Sequence, residues 1–92
     1  MELEETIANE CIRQWGVKAQ LGIAIEECSE LITQLIKLGR EVNGSTIDSI
    51  CDEIADVEIM MFQLRVIFEK DELIDSIKEK KLKRLKERLN IR

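Results

Sequence analysis

The apolar positions of this 92-residue chain recur at steps of three and four, in four separate runs. That step lines side chains along one stripe of an α-helix, whereas a half-buried strand would alternate. The first run spans Leu3 to Trp15 and stops at Gly16, a natural helix terminator. The second runs from Val17 to Leu38, before Gly39, with Leu21, Ala24, Cys28, Leu31 and Leu35 as its stripe. Glu41 to Thr46 reads as the one real loop, its turn at Asn43-Gly44-Ser45-Thr46. Ser45, with Asp48 three residues on, predicts a variant capping box for a third helix. That helix carries Ile47, Ile50, Ile54, Val57, Met61, Leu64 and Phe68 in unbroken alternation. Asp71 is then expected to cap a fourth helix, with Ile74, Ile77, Leu82, Leu85 and Leu89 as its apolar positions. Four helices on short links predict an all-α four-helix bundle, a single domain over residues 1–92.

Composition agrees with helices. The chain is 45% apolar and 36% charged, with no proline or tyrosine and only 3% aromatic residues. A chain this short buries only roughly 60–65% of its unfolded surface, so dimerisation or tetramerisation is expected to complete the core. No run approaches the ~18–20 apolar residues of a membrane span, and the acidic start Met1-Glu2-Leu3-Glu4-Glu5 resembles no secretory signal. Cys11, Cys28 and Cys51 have no metal-ligand spacing and read as reduced, buried thiols, which points to the cytoplasm.

Charge is unevenly spread. The net charge is −5, but residues 1–77 carry −11 and residues 78–92 carry +6. An acidic body argues against nucleic acid as a partner.

The acids are also patterned. The second helix holds Glu26, Glu27 and Glu30 within an arc of about 100°, beside its apolar stripe. The third holds Glu53 and Asp56 about 60° apart, at the edge of its own stripe. Packing the two helices would gather four or five carboxylates, which repel unless a hard cation lies among them. Mg²⁺, with its preference for oxygen ligands, suits such a set, and Mn²⁺ would substitute. Ordinary solvated acids on helix surfaces are the other reading of the same spacing. The chain has no histidine, which removes Ser-His-Asp and Cys-His catalysis, His-ligated zinc and the Glu-x-x-His di-iron bundles. No P-loop occurs.

Glu-Glu-x-x-Glu, then 22 residues, then Glu-x-x-Asp resembles the signature of the MazG-type all-α nucleoside triphosphate pyrophosphohydrolases. The resemblance extends from about Trp15 to Leu89. It implies Mg²⁺-dependent cleavage between the α- and β-phosphates of a nucleoside triphosphate, releasing pyrophosphate. It also implies that Glu27, Glu30, Glu53 and Asp56 ligate metal, while Glu26 and Glu27 are the catalytic acids. In that role Glu26 would hold a second metal or orient the attacking water. The same resemblance points to a homodimer or homotetramer with active sites near the subunit interface.

Other residues carry two readings each. Lys78 and Lys81 fall inside the apolar arc of the fourth helix; they either snorkel to water or, with Arg84, grip phosphates. Lys81 and Arg84 best match the phosphate-contacting residues of the family. Gln20, one heptad before Glu27, is either a solvated amide or a contact to a base edge. Trp15 either anchors a core or interface or stacks on a nucleobase. The competing function is a non-catalytic helical dimerisation or interaction module using the regular heptads of the third helix.

Overall fold

The computed structural model describes residues 2–40 and 44–92, with Gly44 and Ser45 described by their backbone alone. Four helices follow one another: α1 (Leu3–Trp15), α2 (Val17–Leu38), α3 (Gly44–Phe68) and α4 (Asp71–Arg88). No strand occurs among the described residues, and none of their helices is long and apolar enough to cross a membrane.

The joints follow from single residues. Gly16 alone links α1 to α2, at φ 87° and ψ 160°, with its N–H bonded to the Ile12 carbonyl at 2.9 Å. A residue with Cβ would be strained there. α3 starts at Gly44, so the connection after α2 is shorter than the loop expected through Thr46. The Ser45 cap lies outside the described residues.

Asp71 does not cap α4. The N-cap is Lys70, without a side-chain bond, and Asp71 is the first helical residue. The Asp71 carboxylate instead accepts from Arg65 Nη1 at 3.0 Å, and Asp75 accepts from the same nitrogen at 3.0 Å. A guanidinium on α3 outcompetes a backbone N–H for the carboxylate, because both partners are charged.

α2 and α3 form the main packed pair, with α1 laid against both. The fully buried apolar residues are few: Ala8, Ala24, Ile50 and Met60. On α3 the buried line runs through Ile50, Met60 and Gln63, whereas Ile47, Ile54, Met61 and Phe68 of the expected stripe are exposed. α3 is thus rotated away from the orientation its apolar stripe suggests. α4 buries no residue and barely touches the other helices beyond its start, so one chain packs three helices and leaves the fourth outside.

Candidate metal centre

Two polar pairings line the seam between α2 and α3. Gln20 on α2 donates from Nε2 to Gln63 Oε1 on α3 at 2.5 Å. Seven residues further along α2, Glu27 meets Glu53 and Asp56, and Asp56 lies seven residues before Gln63. One heptad forward on α2 matches one heptad backward on α3, as antiparallel neighbours require; each step is about 10.5 Å.

Glu27, Glu53 and Asp56 each offer a carboxylate oxygen, and the three oxygens lie within 4.8 Å of one another. All three residues are half-buried. Glu27 Oε2 and Glu53 Oε2 are buried and have no hydrogen-bond partner among the described residues. Ionised carboxylates only accept, so these oxygens cannot satisfy each other; a proton or a cation between them does. The strain appears in the Glu27 pKa, pushed up to about 7. Burial is the main cause, followed by hydrogen bonding with Glu53 and the negative charges of Asp56 and Glu53.

A hard divalent cation fits this donor set. Ligands of an octahedral ion at ~2.1 Å lie about 3.0–4.2 Å apart, so three oxygens already held within 4.8 Å of one another need only a small approach to share one. Three protein oxygens leave room for water and phosphate, the usual coordination of Mg²⁺.

The structure separates the other acids from this trio. Glu30 is rotated about 60° and Glu26 about 100° from Glu27 around α2, and both are exposed. Of the four expected ligands, Glu27, Glu53 and Asp56 come together and Glu30 stays outside the group.

Set against family models, curated proteins and solved structures, the chain matches none.

The remaining expected site residues are spread out. Lys78, Lys81 and Arg84 are exposed on α4. Lys78 and Lys81 do share a surface with Ile74, Ile77 and Leu82, as their place in the apolar arc predicts. Trp15, at the end of α1, is 61% exposed and anchors no core within the chain. Gln20 is only 2% exposed, so it is neither a solvated amide nor a side chain open to a base; Gln63 holds it. The thiols differ from expectation as well: all three are free, but Cys51 is exposed, and Cys11 and Cys28 are only partly covered.

Gln63 is the buried polar residue the sequence reading missed. Its signal was the heptad itself, because position 63 repeats 56 as position 20 precedes 27. Gln20→Ala is expected to cost about 1–3 kcal/mol, since it strands a buried Gln63 amide. Replacing both glutamines by leucine should be nearly neutral, because no polar group is then orphaned. Urea denaturation of the two variants checks the pair; equal losses would show that the amides are not coupled.

Proposed function

We propose that this chain is a MazG-like nucleoside triphosphate pyrophosphohydrolase that uses Mg²⁺, or Mn²⁺ in its place. One observation carries the reading: three carboxylates from two helices converge, and two of their oxygens are buried with no hydrogen-bond partner among the described residues. An interaction module has no use for such a costly arrangement on its central seam. The sequence motif that holds these residues supplies the substrate class.

In this reading Glu27, Glu53 and Asp56 hold the ion. A bound Mg²⁺ supplies charge neutralisation for the triphosphate and acidifies water. Water adds at phosphorus, the α–β anhydride bond breaks, and monophosphate and pyrophosphate leave. Glu27 would keep its part in catalysis as a ligand to that ion, its carboxylate ionised when the ion is bound. Glu26 and Glu30, exposed on the neighbouring arc of α2, serve a second ion or the attacking water. Lys78, Lys81 and Arg84 are the phosphate contacts, delivered by α4. Trp15 remains the stacking contact for a base. The protein works as a homodimer or homotetramer in the cytoplasm, on the nucleotide pool.

Pyrophosphate release tests this directly. A panel of nucleoside and deoxynucleoside triphosphates is expected to yield pyrophosphate and monophosphate with Mg²⁺ and nothing with EDTA. Products of orthophosphate and diphosphate, or no turnover of any triphosphate with either metal, would overturn the reading.

A further inference from the structure

We infer that the buried Gln20–Gln63 pair is a register lock: it fixes how far along α2 the helix α3 sits, and so positions Glu27, Glu53 and Asp56 against one another. Its bearing on metal rests on the proposed Mg²⁺ site; the register itself does not.

Something other than the acids must hold this alignment. The three carboxylates repel when no ion is bound, so they work against the packing that brings them within 4.8 Å. The fully buried apolar side chains do little to set it. Ala8 and Ala24 are small, and the burial of Ile50 and Met60 is non-directional. Nor does hydrophobicity choose this orientation, since Ile54, Met61 and Phe68 of α3 are left exposed. A hydrogen bond between two buried side chains is directional. Gln20 and Gln63 are 2% and 4% exposed, and Nε2 of the first donates to Oε1 of the second at 2.5 Å.

The residues around each glutamine make that bond selective. In the observed alignment Gln20 meets Gln63, and Glu27 meets Glu53 and Asp56. Sliding α3 by one turn, three or four residues in either direction, would set Gln20 against Ile59, Met60, Val66 or Ile67. The same slides would set Gln63 against Gly16, Val17, Ile23 or Ala24. None of these side chains can bond an amide, so every one-turn slip strands two buried amides. A slide of four residues would also leave Glu27 facing Val57 and Met60, or Ser49 and Asp52, and the trio would be gone. A buried polar side chain sets register in coiled coils in the same way, by penalising the alternatives at a cost in stability. That cost is visible here: Gln20 Oε1 is buried and has no hydrogen-bond partner among the described residues.

Two readouts test the lock. In the metal-free chain, spin labels on Cys51 and on Lys37→Cys, both exposed positions, report the alignment of α3 on α2. Cys11→Ser and Cys28→Ser remove the other thiols, and excess unlabelled chain confines the signal to distances within one chain. This background is expected to give one narrow distance. Gln20→Leu with Gln63→Leu should keep helicity and thermal midpoint yet broaden or split that distance, a four-residue slip being ~6 Å. Gln20→Met with Gln63→Met, nearer to glutamine in shape, gives the same test with less repacking. Gln63→Glu, which keeps an acceptor for Gln20, should retain the narrow distance. By calorimetry, both apolar pairs should bind Mg²⁺ about tenfold more weakly than the parent at unchanged stability. A pair that served only to hold the fold would not separate the two. An apolar pair with the parent's single distance overturns the lock, and a broadened distance with parental Mg²⁺ affinity overturns its positioning role. A parent chain that binds no Mg²⁺ would instead sink the metal centre, while the distances still decide the lock.

Discussion

Asp56→Asn or Glu53→Gln is expected to abolish pyrophosphate release and, at the same time, to make the metal-free chain more stable. The two effects have one cause. The three carboxylates are held within 4.8 Å by the packing of α2 on α3, not by any attraction among themselves. Without a cation, their proximity opposes folding above the pKa of Glu27. Removing one charge relieves that repulsion and returns Glu27 toward the usual carboxylate range. With Mg²⁺ the same substitution deletes a ligand. Losing even an outer partner of a metal ligand commonly costs ~10–100-fold, and losing a direct ligand should cost more. Thermal denaturation in EDTA, calorimetric Mg²⁺ titration and pyrophosphate release on the same variants read the two signs. A variant that keeps activity near the parent level would remove the trio from the proposed chemistry. One that loses stability in EDTA would show that the carboxylates are held by some contact other than a cation.

The second large effect is a pH dependence centred on Glu27. Its pKa in the folded chain is raised from 4.5 to about 7, so the folded state binds its proton more tightly than the unfolded state. Metal-free stability should therefore fall as pH rises from about 4.5 to about 7, and change little from this group above that. Glu10 acts in the opposite sense and in a lower window. Hydrogen bonding to Arg13, then to Gln14, holds it at about 2, so its contribution is lost only as pH falls below the ordinary carboxylate range. A cation competes with the Glu27 proton. Apparent Mg²⁺ affinity should rise roughly tenfold per pH unit up to about 7 and then level, with proton release on binding. Glu27→Gln should abolish both the slope in stability and the proton release. Mg²⁺ affinity that is flat between pH 5.5 and 7 in the parent chain would show that Glu27 does not take part.

How much of this was readable beforehand differs from element to element. The three-four periodicity located all four helices. Gly16 reads as the first stop because glycine commonly ends helices, and the structure adds the reason here: a φ of 87°, which other residues adopt only with strain. The motif acids on α2 and α3 were legible as a pattern, since heptad arithmetic puts residues of one helix on one face. The cap expected at Asp71 does not form because capping preference is local, whereas the Arg65 that takes its carboxylate is supplied from another helix.

What the sequence by itself determined is the set of stripes: which residues of each helix share a side, and that acids sit beside the apolar ones. Which side turns inward was decided by the tertiary structure alone. An amphipathic pattern ranks faces by hydrophobicity and assumes that the most apolar face is buried within the chain. Here α2 and α3 close on a partly polar seam of Gln20, Gln63, Glu27, Glu53 and Asp56, while Ile25, Ile32, Ile54 and Phe68 look outward. That choice singles out Glu27 rather than Glu30, since 60° around a helix separates a half-buried carboxylate from a solvated one. Periodicity fixes only relative angles along one helix. The absolute rotation of each helix comes from the neighbours it packs against, and a lone sequence pattern does not contain it.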